Sequence, residues 1–199
     1  MKNTLTTIAL TLLTAVSLAV QAQLTEYTPE QLKSPNVLGC WHFRPGSELK
    51  DSAGKAPDLR LQGKSSFVKD GKFGGALKCV GSGEKDDKQQ GVLFQDHKLF
   101  APTTSFSIDL WINPDEIAST TGTGSYFLFD KKIYNYSREF ERANWDYCAW
   151  LSRRQGDKYA VSFSLGFKTH STFLTSKTFS LPTGEWHHLA FSYDAKGTA

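Results

Sequence analysis

The sequence predicts an all-β fold, an antiparallel two-sheet sandwich or jelly roll, on three observations. Aromatic residues make up 13% of the 199, with 14 Phe, 7 Tyr and 5 Trp beside 16 Gly and one Met. That composition suits strands and tight turns better than helix packing. Short runs alternate apolar and polar residues between turn residues, as half-buried strands do. No segment sustains an apolar period of 3.6.

Taken in order, the chain opens with Lys2, an apolar stretch over residues 8–20 and the small-residue site Val20-Gln21-Ala22. This reads as an export signal cut after Ala22, since a spanning helix needs about 20 apolar residues. Residues 23–36 form a lead-in, and 37–199 form one domain. The clearest strand is residues 106–112: Phe106, Ile108, Leu110 and Ile112 point one way, Ser107, Asp109 and Trp111 the other, and Asn113-Pro114-Asp115 ends the run. A second strand, over residues 186–194, puts His187, Leu189, Phe191 and Tyr193 on one face. Weaker strands are predicted over 38–43, 76–80, 126–129, 147–151, 159–167 and 172–178. The best helical stretch is residues 137–143, with Ser137 as a cap and Glu139 and Glu141 near its start. Trp41, Phe43, Leu77, Phe106, Ile108, Leu110, Leu189 and Phe191 are expected mainly inside.

Charge narrows the possible partners. With 23 Lys+Arg against 20 Asp+Glu, the net charge of +3 is far from the basic excess of a nucleic-acid binder. No apolar run beyond the N-terminus is long enough to cross a membrane. Three cysteines, Cys40, Cys79 and Cys148, leave at least one thiol free, and any single pairing is open. The absence of CxxC or Cys/His pairs argues against zinc.

Five motifs occur in a telling order: Gly39-x-Trp41-x-Phe43, the turn Asp51-Ser52-x-Gly54, GKFGGALKCVG over 71–81, FSIDLWINP over 106–114, and GEWHHLAFSYD over 184–194. Together they resemble a laminin G-like domain, the LamG-like jelly roll of the concanavalin A-like lectin/glucanase superfamily. Cys79 stands where that family commonly has Phe. Family members continue beyond the position of Asp194 into further strands, so the resemblance implies a domain lacking its C-terminal strands.

Catalytic relatives on this fold resemble one another in a Glu-x-Asp-x-(x)-Glu strand, whose alternation gathers the carboxylates on one face. Here Glu139-Phe140-Glu141 lacks both the Asp and the third carboxylate. No catalytic residue is therefore assigned. His187 and His188, as strand neighbours, face opposite sides and cannot ligate one ion. The resemblance implies calcium at a rim, with Asp51 as first ligand and Asp58 and Asp194 as helpers. Plain turn chemistry, in which an Asp side chain bonds the backbone two residues on, explains Asp51 equally simply.

Residues 133–150 concentrate aromatics among charged groups. Tyr147 and Trp150 fit a strand and the core, whereas Tyr134, Tyr136 and Trp145 fit a loop whose ring faces could stack on a sugar. The expected function is an exported, non-catalytic module binding carbohydrate or a surface glycoprotein. A glycoside hydrolase of the same fold and a structural or adhesive domain without a small ligand are the alternatives.

Overall fold

A computed structural model describes residues 26–79, 91–94, 98–101, 104–114, 125–132, 145–154, 158–167 and 170–196. In chain order the elements are α1 (Pro29–Leu32), β1 (Arg60–Gln62), β2 (Ser66–Val68), β3 (Ala76–Lys78), β4 (Gly91–Leu93), a 3-10 turn at Lys98–Phe100, β5 (Phe106–Ile112), β6 (Ser125–Lys132), β7 (Trp145–Arg153), β8 (Lys158–Phe167), β9 (His170–Thr175), β10 (Phe179–Ser180) and β11 (His187–Tyr193).

The largest sheet runs β6–β7–β8, and the far edge of β8 is shared in tandem by β10, at Lys158–Tyr159, and β9, at Ser162–Phe167. Every pairing is antiparallel. Facing this sheet is a ribbon of β5 and β11, in register from His187↔Ile112 to Tyr193↔Phe106. Two small ribbons, β1–β4 and β2–β3, come from the first half of the chain. The fold is thus an antiparallel β-sandwich, as the alternating runs predict.

The core lies between sheet and ribbon, and strand alternation decides which residues enter it. Phe106, Ile108 and Leu110 from β5, with Leu189, Phe191 and Tyr193 from β11, pack against Tyr147, Ala149 and Phe163 of the large sheet. Phe191 sits at the centre, with ring centroids 5.2 Å from Phe129 and 5.5 Å from Phe163. Leu151, Tyr159 and Leu181 extend the core towards β10. Burying an aromatic side chain of this kind stabilises the fold by about 2–3 kcal/mol. Tyr147 also donates its hydroxyl proton to the Phe100 carbonyl, at 3.0 Å, tying the 3-10 turn to the sheet.

The first half of the chain is held differently. Residues 38–43, read as a strand, form none: Phe43 takes φ +53°, and the Cys40 N–H is drawn to the Asp51 carboxylate instead of a neighbouring strand. Trp41 and Phe43 are only half-buried and pack outside the sandwich core, Trp41 against Phe94 and Phe100, and Phe43 against Phe67. Leu77 is likewise half-buried. The GKFGG run is a backbone-on-backbone fit, because a Cβ on Gly75 would lie 2.2 Å from the Phe43 carbonyl oxygen. The three-residue strands β1, β2 and β4 are too short to show an alternation. The predicted helix at 137–143 lies outside the described residues.

Candidate functional site

The large sheet has a second face, turned away from the core, and its chemistry follows from register. Along β7, Tyr147, Ala149 and Leu151 point inward, so Cys148 and Trp150 point outward. Trp150 pairs with Ser162 and Cys148 with Ser164, and these continue to Thr175 and Phe173 on β9. On β6, Phe127 pairs with Trp150 while Phe129 pairs with Ala149, with a register shift between them. Two residues apart on a regular strand, both rings would face the same way. The bulge turns Phe127 outward and leaves Phe129 in the core.

Three rings therefore cross the outer face on three strands. Phe127 and Trp150 have centroids 6.1 Å apart, and Trp150 and Phe173 6.5 Å. Phe127 is 50% exposed and Phe173 64%, while Trp150 between them is half-buried. Beneath the row the floor is small and polar. Ser162 and Ser164 are buried, the Ser162 and Thr175 hydroxyls lie 2.9 Å apart, and Ser164 donates to the Thr172 carbonyl at 3.3 Å. Cys148 is fully buried in the same floor. Lys131 and Asp146 form an ion pair on the neighbouring stretch of β6 and β7. Exposed ring faces beside hydroxyls suit a ligand with both apolar and hydroxyl faces.

The sequence-derived aromatic residues only partly meet this surface. Tyr134 and Tyr136 lie outside the described residues. Trp145 opens β7, with its backbone opposite Lys132, rather than lying in a loop. Tyr147 is core, as expected, but Trp150 is not: strand parity puts it on the opposite face. Phe127 and Phe173 fall on predicted strands, 126–129 and 172–178, but the sequence does not mark either as a binding residue. A bulge sets the direction of the first, and the second is significant only beside strands distant in sequence.

The carboxylates proposed for calcium are engaged separately. Asp51 Oδ1 accepts the N–H groups of Cys40 (2.8 Å) and Ala53 (3.0 Å), and Oδ2 those of Lys55 (2.7 Å) and Ala56 (2.8 Å). Burial works against its charged form, but the four donors outweigh burial and hold the carboxyl below its ordinary value. A cation at Asp51 would have to displace donors that already fill its lone pairs. Asp58 pairs with Lys50, and Asp194 accepts from the Ser105 hydroxyl and the Lys196 N–H. Among the described residues, no three or more His, Cys, Asp or Glu are grouped so as to hold a metal ion.

A polar network clasps the N-terminal segment to the ribbon. Asp109 of β5 accepts the Tyr27 hydroxyl at 2.8 Å and lies 3.2 Å from His188 Nε2. The hydrogen bond to Asp109, with burial, pushes the Tyr27 phenol up to about 12. His188 also packs on Trp111, while His187 Nε2 lies 3.1 Å from the Pro182 carbonyl oxygen, so the two imidazoles serve different neighbours. His42 bridges Ser52, at 2.9 Å from Nδ1, and Glu26, at 3.3 Å from Nε2. Burial lowers the His42 pKa. Burial, then the charges of Asp51, Asp109 and Glu26, push the Cys40 thiol up to about 11, which leaves it neutral and a poor nucleophile at neutral pH. All three cysteines are free thiols, with no disulfide among them.

Fold and outer face together define a β-sandwich protein with an exposed aromatic surface. Residues 86–199 match the family model described as the concanavalin A-like lectin/glucanases superfamily, a laminin G type. The match covers more than half the chain and takes in both the ribbon and the large sheet, so the chain belongs to this family. Of the five motifs, FSIDLWINP and GEWHHLAFSYD fall within the matched span. Searches of curated proteins and of solved structures find no match.

Proposed function

We propose that this chain is an exported, non-catalytic binding module whose ligand is carbohydrate, free or on a surface glycoprotein. The observation that carries this reading is the row Phe127–Trp150–Phe173 on the outer face of the large sheet. A sugar ring presents a C–H face that stacks on an aromatic ring and hydroxyls that take hydrogen bonds at its rim. Stacking needs no activated carboxylate, whereas glycoside cleavage needs two, set at a defined separation. Tyr134, Tyr136 and Trp145 extend the same proposal along the β6–β7 connection and its exit.

Glycan-array binding by the full chain, repeated with Trp150→Ala, tests the reading. Binding to a defined set of glycans that falls by about tenfold or more in the variant is expected, since one stacked ring contributes roughly 1–2 kcal/mol. Release of reducing sugar from a polysaccharide, abolished by Glu139→Gln, would replace it with the hydrolase reading. An empty array would leave the structural or adhesive reading.

A further inference from the structure

Where the lead-in meets the turn over residues 51–54, a carboxylate, an imidazole and a hydroxyl stand in line. His42 Nδ1 lies 2.9 Å from the Ser52 hydroxyl, and its Nε2 lies 3.3 Å from Glu26. Glu26 is in turn ion-paired with Arg44. A serine activated by histidine has this form: nucleophile and base within hydrogen-bond reach, with a third group that orients the base. Two hydrogen bonds tie the turn to the segment that carries His42: the Ser52 N–H donates to the Cys40 carbonyl at 2.7 Å, and the Cys40 N–H to the Asp51 carboxylate at 2.8 Å. Ser52 is exposed, whereas the His42 side chain keeps only 10% of its surface in contact with solvent.

The line has a direction. Glu26, as the carboxylate paired with Arg44, can only accept a hydrogen bond, so the imidazole proton sits on Nε2 and the lone pair of Nδ1 faces the Ser52 hydroxyl. Cys40 Sγ lies 3.5 Å from the same ring, but at Nε2, the nitrogen that carries the proton. The base therefore serves the hydroxyl and not the thiol. The charged groups facing His42 are Glu26 from the lead-in and Arg44 from its own segment; burial outweighs the pull of Glu26 and keeps the ring neutral, able to take a proton, at neutral pH. The N–H groups of Ser52, Ala53 and Gly54 are all donated elsewhere, to the Cys40 carbonyl, the Asp51 carboxylate and the Asp51 carbonyl. A turn satisfied in this way offers no N–H to a developing oxyanion, which restricts the serine to acyl donors with a good leaving group.

We propose that Ser52 is a covalent acyl-acceptor site, taking a small acyl group from an activated ester or thioester with His42 as its base. Ser52 Oγ attacks the acyl carbonyl carbon, and its proton passes to His42 Nδ1. The bond from that carbon to the leaving oxygen or sulfur then breaks, and the departing alkoxide or thiolate takes the proton from Nδ1. The acyl group stays on Oγ and the ring is neutral again. The reaction is stoichiometric, in keeping with a non-catalytic module, and does not depend on the carbohydrate reading.

The test is treatment of the full chain with p-nitrophenyl acetate, followed by release of nitrophenol and by peptide mapping of the acetylated protein. The expected result is a single burst matched by an acetyl group on Ser52, formed ahead of every other serine, at a rate that rises with pH through a midpoint below about 6.5 as His42 loses its proton. His42→Gln is expected to slow acetylation of Ser52 by about tenfold or more with the circular dichroism spectrum unchanged, since a positioned base contributes roughly 10²–10⁴-fold. The proposal is overturned if Ser52 is acetylated no faster than the other serines, if Cys40 takes the group in its place, if a folded His42→Gln variant reacts at the original rate, or if nitrophenol is released continuously with no acetyl group held. Acetylation of Ser52 at the same rate in the urea-unfolded chain would overturn it as well, and that comparison on the unaltered protein decides the matter even if the variant fails to fold.

Discussion

The two faces of the large sheet use the same residue types to opposite ends. Inward, Phe163 and Tyr147 interlock with Phe106 and Phe191. Outward, Phe127, Trp150 and Phe173 lie over buried serines, with their outer rings half or more exposed. Strand parity and one bulge separate the two sets, not composition. Aromatic content alone therefore says little about a binding surface; the face each ring occupies says much more.

Substitutions on the two faces should differ most. Phe163→Ala is expected to cost about 4 kcal/mol of stability, from lost transfer energy and a cavity in the core. Phe173→Ala is expected to change stability by no more than about 0.5 kcal/mol, because its ring is mostly solvated. Urea denaturation of both variants measures the contrast, and equal losses would place Phe173 in the core.

A second contrast sets the packed sandwich against the first half of the chain, where one carboxylate does the work of a strand pair. Asp51→Ala removes the acceptor of four backbone N–H groups and is expected to cost about 3 kcal/mol. Asp51→Asn, which keeps one acceptor oxygen, should cost less. Melting curves of the two variants give the order.

Acid should loosen this same half in two stages. The His42 pKa is lower folded than unfolded, so the unfolded chain binds the proton more readily and stability declines as pH falls below about 6.5. The Asp51 pKa is also lower folded than unfolded. Its contribution is intact above about 3.8 and is lost as pH falls through the folded value. Chemical denaturation across this range should show both declines, with the first missing in His42→Gln.

How much of this was legible in the sequence follows from the range of the interactions. β5 and β11 show themselves because five residues of each, Phe106 to Leu110 and Leu189 to Tyr193, alternate between core and surface. Residues 38–43 mislead because Gly39-x-Trp41-x-Phe43 also alternates, yet its backbone is bonded by a side chain eleven residues on. The site was half visible. Residues 133–150 stand out for their aromatics, but Trp150 belongs with Phe127 and Phe173 only through the pairing of β6, β7, β8 and β9. No local pattern encodes that pairing.

The central claim is that the outward face, not the ribbon, meets the ligand. A heteronuclear NMR titration with an oligosaccharide selected on the array tests it most directly. The account predicts that the indole N–H of Trp150 and the amides of Phe127 and Phe173 shift together and saturate at one affinity. Shifts confined to β5 and β11, or saturable binding that leaves all three unmoved, would contradict it.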